Sequence, residues 1–371
     1  MARPPPASGS PLPAPDDPHP PYGRSGHPFF MHDMILSQPA ALRRTAASAL
    51  TAAEEIRRPP AGRPLLFVGQ GTSFHAALGG ATAARFLLGP HALIRAVPSF
   101  DLLLDPDLIR AARCAVIFSA SGETALTLRA QEALAKAKVR QVLITGTPRS
   151  PSAKLADHTL MTQGADERAW THTVSFTSAL TAAYALLSVW SVREEESVLS
   201  LHRSAATVLA NEAQWKALAD SLRDRRRWLF LGSGPAEVTA REAALKLREG
   251  AGRFVAWCGV EEFLHGILPS IDDSAAVVAV ATGSLDLARA RHAVRAAELA
   301  GAKGVLMGRL EGTRPPGEFP LPELVPAFSP AVDIIPLQLV TYWTAVAEGR
   351  NPDVMGYDNP KAWAARKSFG I

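Results

Sequence analysis

Residues Cys114–Lys138 read CAVIFSASGETALTLRAQEALAKAK. Five apolar residues run into a corner of small hydroxyls with one glycine. A stretch with apolar residues at helical spacing follows, so the order is strand, loop, helix. The same order stands upstream, where PLLFVG (64–69) passes through QGTS (70–73) into FHAALGGATAARFLL (74–88). VRQVLITG (139–146) supplies a further strand, HTLMT (158–162) a short fourth one, and TVSFTSALTAAYALLSVW (173–190) a closing helix. Short apolar strands alternating with helices indicate a parallel sheet covered on both faces.

The plan then repeats. WLFLGSG (228–234) reads as strand and loop, PAEVTAREAALKLREG (235–250) as helix, AAVVAVATGS (275–284) and KGVLMG (303–308) as strands, and PAVDIIPLQLVTYWTAVAEG (330–349) as a second closing helix. The expected organisation is a disordered Pro-rich tail over 1–28 and a first α/β domain with an N-terminal helix over 29–194. A helical connector over 195–227, a second α/β domain over 228–349 and a C-terminal tail over 350–371 follow. The N-terminal helix, MHDMILSQPAALRRTAASALTAAEEI (31–56), is predicted to be interrupted at Pro39.

With 371 residues, 47% of them hydrophobic, the chain has enough apolar material for two ordinary domains. A formal charge of only +4 argues against a dedicated nucleic-acid surface. No apolar run is read as reaching the roughly 20 residues of a membrane helix. The proline-rich start lacks the apolar core of a signal peptide. Cys114 and Cys258 lie in apolar segments without His or Asp at metal spacing. They read as reduced core thiols of a cytoplasmic protein, and no metal site is expected.

In open parallel sheets, ligands sit beyond the carboxyl ends of the strands. QGTS and SASGET (119–124) both fall at that edge. The backbone N–H groups of Gly122, Glu123 and Thr124 are read as opening a helix, where unpaired donors and the helix dipole favour an anion. Ser119, Ser121 and Thr124 add hydroxyls. The loop holds no lysine, so it is no Walker-type nucleotide loop, and a monophosphate carried by a small molecule fits better. Helix capping by Ser121 or Thr124 is the plain alternative. The counterparts GSGP and ATGS in the second half carry fewer hydroxyls, so phosphate binding is expected in one half only.

Farther along, Glu242, Lys246 and Glu249 share a helix face at spacings of four and three, and His265 follows in EEFLHG (261–266). A solvated ion pair and a structural histidine are the plain reading. A carboxylate, a cation and an imidazole are also what proton transfer on a sugar phosphate requires.

GTSFHAAL, the SxSGET corner, and ALKLRE followed by EEFLHG resemble the double sugar-isomerase (SIS) domain family, especially the isomerase half of glucosamine-6-phosphate synthase and SIS-type glucosamine-6-phosphate deaminases. MHDMILSQP is similar to the family's entry helix, and LQLVTYWTAVAEG to its closing helix. The resemblance implies two tandem SIS domains, each a parallel-sheet αβα sandwich of the flavodoxin-like, doubly wound kind. It implies that Ser73, Ser119, Ser121 and Thr124 hold the sugar phosphate, together with Thr72 and Gly122 of the same loops. Glu249 would move the proton between C1 and C2, with Lys246 assisting near the C1 hydroxyl. His265 would serve ring opening from a neighbouring subunit, which implies a homodimer with composite sites. Lys367, in AARKSFGI, is the candidate for the family's imine-forming C-terminal lysine. No cofactor is implied.

The chain departs from the family at Ala120, where glutamine is usual, at His172 and Val174, where serine and lysine are expected, and at Ile267, where proline is expected. No glutaminase segment precedes the isomerase-like part, so ammonia production from glutamine is not expected. The expected activity is aldose–ketose isomerisation or deamination of an amino-hexose 6-phosphate in the cytoplasm. Other ketose-phosphate isomerases, fructosamine-6-phosphate deglycases and a non-catalytic sugar-phosphate sensor are the alternatives.

Overall fold

The computed structural model describes residues 24–312, 315–356 and 359–368, the side chains of Arg366 and Lys367 excepted. The first half comprises α1 (Phe30–Ala53), β1 (Leu65–Gly69), α2 (Thr72–Leu88), β2 (Ile94–Pro98), α3 (Ser99–Leu103), α4 (Pro106–Ala111), β3 (Cys114–Phe118), α5 (Ala125–Lys136), β4 (Arg140–Thr145), α6 (Pro151–Leu155), β5 (His158–Met161) and α7 (Val174–Ser191). Helices α8 (Glu195–Leu209) and α9 (Glu212–Leu222) connect the halves. The second half runs through β6 (Arg227–Leu231), α10 (Pro235–Ala251), β7 (Val255–Cys258), α11 (Val260–Glu262), β8 (Ala275–Val280), α12 (Ser284–Leu299), β9 (Lys303–Gly308), β10 (Glu318–Pro320), α13 (Pro330–Asp333) and α14 (Ile335–Ala347). Helix α15 (Pro360–Ser368) ends the described chain.

Each half forms a five-stranded, wholly parallel sheet, in orders β2-β1-β3-β4-β5 and β7-β6-β8-β9-β10. Both follow the same second-first-third-fourth-fifth pattern, the flavodoxin-like order, with its switch point between the first and third strands. β2, β7 and β10 were not anticipated from the sequence. They are edge strands: β2 (IRAVP) and β10 (EFP) are too mixed to stand out, and β7 (VAWC), though apolar, is only four residues long.

Both halves turn from first strand to first helix in the same way. Gly71 and Gly234, at φ +58°, head α2 and α10. A side chain on Gly69 would meet the Ser73 carbonyl oxygen at 2.4 Å, and one on Gly232 the Ala236 carbonyl oxygen at 2.3 Å. The close approach of strand and helix therefore demands glycine at both corners.

Alternate strand residues face opposite ways. Phe67, Val116 and Phe118 of one sheet and Phe230, Val278 and Met307 of the other join a single core filled by α1, α2, α7, α8, α10 and α14. Leu66, Val68 and Ile117 point instead under α3–α5, and Leu229 and Ala279 under α12. Helix α7 is apolar enough over Val174–Ser191 to cross a membrane by length and composition, which corrects the sequence reading. It is apolar all round because 83% of it is buried by protein.

Three further expectations are corrected. Pro39 does not interrupt α1, which runs unbroken from Phe30 to Ala53. Proline cannot donate to the carbonyl four residues back, and the Gln38 side-chain amide donates to that carbonyl, Ile35 O, at 3.0 Å. Helix α5 begins at Ala125, not within Gly122–Thr124, because Gly122 adopts φ +68°. Arg24–Pro28, read as tail, are ordered: Arg24 pairs with Asp33 at 2.7 Å, and Tyr342 Oη donates to His27 Nδ1 at 2.6 Å. Residues 1–23 lie outside the described part.

Gln38 also donates to Gln338 Oε1 at 2.9 Å and accepts from Thr177 Oγ1 at 2.8 Å, linking α1, α14 and α7 in the core. Gln38→Leu should cost about 2–3 kcal/mol by orphaning these groups. Part of that loss should be recovered in a Pro39→Ala background, whose backbone N–H can take over Ile35 O. Urea unfolding of the two single variants and the double variant measures the coupling; strictly additive losses contradict this account.

Candidate active site

The carboxyl ends of β1, β3, β4 and β5 converge at the switch point of the first sheet. Thr72, Ser73, Ser119, Thr145 and Thr162 line a cleft of about 10 Å³, room for roughly one water molecule. A cavity of about 380 Å³ adjoins it and shares Ala120, Thr162, His172 and Ser175. That volume lies within the ordinary range for small-molecule sites.

The hydroxyls of the SASGET corner are not helix caps: Thr124 stands at the N-cap of α5 without a side-chain cap bond. Ser119 Oγ accepts the Gly122 N–H at 3.1 Å, and Ser121 Oγ accepts the Glu123 N–H at 3.3 Å. Each spends a lone pair on the loop and keeps its own hydrogen to donate to an anion. At Gly122 an added side chain would meet Ser150 Oγ at 2.1 Å, so the left-handed turn belongs to glycine. Thr72, Ser73 and Ser119 meet in the cleft and Ser121 lines the larger cavity. Thr124 is exposed and lines neither.

Helix α10 of the second half packs against α2 of the first and brings its charged face to this loop. Lys246 is fully buried and donates to Glu249 Oε2 at 2.5 Å and Thr72 Oγ1 at 3.0 Å, with Glu242 Oε1 at 3.3 Å. Thr72 Oγ1 in turn donates to Glu242 Oε1 at 3.2 Å, and His75 Nδ1 donates to Glu242 Oε2 at 2.6 Å. Burial alone would drive Lys246 toward its neutral form, but Glu242 and Glu249 outweigh it and its pKa is raised. Burial likewise pushes Glu242 up, yet Lys246 and His75 leave its carboxyl below the usual range. Glu249 goes the other way: burial raises its pKa despite Lys246, and the Glu242 charge adds to the rise. One carboxylate is thus held ionised while its neighbour is poised closer to neutrality, the division of roles that acid–base chemistry uses.

On the opposite side, the loop before α7 is organised by Glu167. Its Oε2 accepts the N–H groups of Thr173 at 2.7 Å and Ser175 at 3.0 Å, and the Ser175 hydroxyl at 2.9 Å. The loop is braced from behind by the C-terminal segment, where Trp170 N donates to Asp353 O at 2.8 Å and Thr171 Oγ1 to Pro352 O at 2.7 Å. His172 lines both cleft and cavity, with Nδ1 at 3.1 Å from Ser175 Oγ. Burial, reinforced by the Lys246 charge and opposed by Glu242, lowers its pKa to about 4. His75, Glu167 and Ser175 were not singled out from the sequence. His75 sits inside the GTSFHAAL motif, three residues after Thr72, which is the one signal available for it.

His265 is not brought to this cluster. It lies on a short π-helical turn (Phe263–Ile267), 78% exposed, with Nε2 at 3.4 Å from Glu261. Lys367 lies on α15, and its side chain is outside the described part; Trp363 of the same helix packs on Trp170 of the site loop, ring centroids 6.1 Å apart.

The second sheet has a cavity of about 630 Å³ at its own switch point. Its loop amides are already taken: Asp286 accepts Thr282 N–H and Gly283 N–H, each at 2.7 Å. A resident carboxylate occupies the place an anion would need.

Lys246→Met should cost about 3–5 kcal/mol at neutral pH, because Glu242 is left buried without its principal counter-charge. Glu242 is held below its usual pKa, so the pair's contribution is full above the ordinary carboxylate range and is lost as pH falls through it. The deficit should therefore shrink on acidification. Denaturant titrations at neutral and mildly acidic pH decide this, and a deficit independent of pH contradicts it.

The description "SIS domain" fits residues 62–192 of this chain. The chain is 29% identical over 348 residues to a glutamine--fructose-6-phosphate aminotransferase [isomerizing] of Thermococcus kodakarensis, a match covering 89% of this chain and 57% of that protein. It thus spans little more than half the length of such relatives. Among solved structures, the C-terminal domain of glucosamine-fructose-6-phosphate aminotransferase from Francisella tularensis aligns with TM-score 0.75 at 22% identity, covering 90% of this chain and 99% of that one. A glucosamine-6-phosphate deaminase from Thermotoga maritima aligns with TM-score 0.73 at 22% identity, covering 87% and 96%. At such identities the structural likeness speaks for the fold. Matching segment and matching fold lead to one conclusion: residues 62–192 of this chain form a SIS domain.

Proposed function

We propose that this chain processes an amino-hexose 6-phosphate by aldose–ketose proton transfer, in the manner of glucosamine 6-phosphate conversion to fructose 6-phosphate. The observation that carries the reading is the tie between Lys246, Glu249 and Thr72, which joins a carboxylate–ammonium pair to a hydroxyl that lines the cleft with Ser73 and Ser119. The phosphate would be held by the hydroxyls of Ser73, Ser119 and Ser121 and by the backbone around Gly122, with Thr124 at the rim. Glu249, its pKa raised by burial, would carry the proton between C1 and C2. Lys246 would stabilise the negative charge that develops on the adjacent oxygen.

His265, exposed and remote from the cluster in its own chain, would act in the site of a second copy. The working form is then a homodimer, and the location cytoplasmic. The relative is named a glutamine--fructose-6-phosphate aminotransferase and the neighbour a glucosamine-6-phosphate deaminase, and both names carry a hexose 6-phosphate. The second reading, a sugar-phosphate sensor, needs the serine loop but gives no use for a buried Glu–Lys–Glu cluster.

Incubation with glucosamine 6-phosphate, or with fructose 6-phosphate and ammonia, in deuterated water tests the reading. Deuterium should enter at the carbon beside the carbonyl, and ammonia release distinguishes deamination from isomerisation. Glu249→Gln should slow the exchange by about 10²–10⁴-fold. Undiminished turnover in that variant rules out the mechanism, and binding without any exchange favours the sensor. Mixing inactive Glu249→Gln with inactive His265→Asn protein should restore part of the activity through hybrid dimers. A mixture that stays inactive argues against shared sites.

A further inference from the structure

Aldose–ketose conversion moves two protons. One travels between carbons, the task assigned above to Glu249. The other leaves the C2 heteroatom, the nitrogen of an amino-hexose, as its double bond to C2 forms, and ends on the C1 oxygen as C1=O becomes C1–OH; water then hydrolyses the C2 imine to the ketone and ammonia. Lys246 is poorly placed to carry this second proton, because Glu249, Thr72 and Glu242 already share its three donors.

His172 is differently situated. Its ring lines both the phosphate cleft and the larger cavity, on the side across from the cluster. Ser175 Oγ lies 3.1 Å from its Nδ1 and donates its only hydrogen to Glu167 Oε2 at 2.9 Å. Ser175 therefore can only accept from the imidazole, which places the proton of a neutral ring on Nδ1. Nε2 is left as a lone pair, with no hydrogen-bond partner among the described residues. The Glu167–Ser175–His172 chain thus orients an imidazole and fixes its tautomer, with Glu167 locked in turn by two backbone N–H groups.

We infer that His172 is a catalytic residue of this site, its Nε2 taking the proton from the heteroatom on C2, the nitrogen of an amino-hexose, and returning it to the C1 oxygen. The inference rests on the hexose 6-phosphate reading given above. Burial and the facing Lys246 charge, with Glu242 opposing, keep the ring neutral near pH 7, so the acceptor lone pair is available there. Glu167, the other ionisable group in the chain, faces it through Ser175. A histidine drawn from the same chain also gives each site a heteroatom-directed base that does not depend on the partner's contribution.

The test compares the full-length protein with His172→Asn and His172→Ser on glucosamine 6-phosphate and fructose 6-phosphate. Expected is a fall in kcat of about 10²-fold in both variants with KM changed less than threefold. Expected too, from ¹⁵N NMR of the histidine-labelled wild type, is an Nδ1–H tautomer at neutral pH whose Nε2 resonance moves on adding the sugar phosphate. An active wild type with undiminished kcat in both variants overturns this proposal alone, as does an Nε2–H tautomer. A wild type that exchanges no hydrogen with either sugar overturns the functional reading itself, and the shuttle with it. Thermal melting of the variants separates lost catalysis from lost folding, and wild-type kcat per folded molecule counts against the proposal.

Discussion

The buried ammonium of Lys246 is the interaction on which the rest depends. A charge removed from water is costly unless its hydrogen bonds and counter-charges are supplied in place. Here they come from two turns of one helix and from a threonine of the other half. Fastening α10 to the first turn of α2 sets how the two sheets share their core. The same contact ties Glu249, through Lys246, to Thr72 of the cleft. The fold is therefore organised around its candidate site.

Two sheets of the same strand order do not make two equal sites. Their first strand–helix corners are near copies, with glycines at corresponding places and the same left-handed turn. They diverge one loop later. After β3 the loop amides are met by serine hydroxyls that can pass a hydrogen on to a ligand. After β8 they are met by the carboxylate of Asp286, which repels an anion and has no hydrogen to offer. The two switch points thus differ in the partner of a few backbone amides, hydroxyls in one and a carboxylate in the other.

Much of the fold was legible because central strands of a parallel sheet are apolar on both faces and stand out as runs, as CAVIF and PLLFVG do. Edge strands such as β2 and β10 bury less, and their sequences do not separate from loops. Pro39 was misread because its local penalty is visible in the sequence and the remedy, a glutamine amide on the preceding residue, is not. The Glu242–Lys246–Glu249 face followed from helical spacing. Glu167 and His172 sit in a loop and Ser175 just inside the start of α7, so no single period relates the three.

By itself, then, the sequence determined the alternation of strands and helices, the hydroxyl-rich corner and the charged helix face. Each is written in neighbouring residues whose spacing fixes their geometry. Only the tertiary structure decided that Lys246 is buried and not solvated, that Thr72 bonds to it across the two halves, and that His172 Nδ1 meets the Ser175 hydroxyl. Those outcomes depend on groups as far as 174 residues apart or on hydrogen bonds whose partners compete, and desolvation acts only once the chain has closed around them.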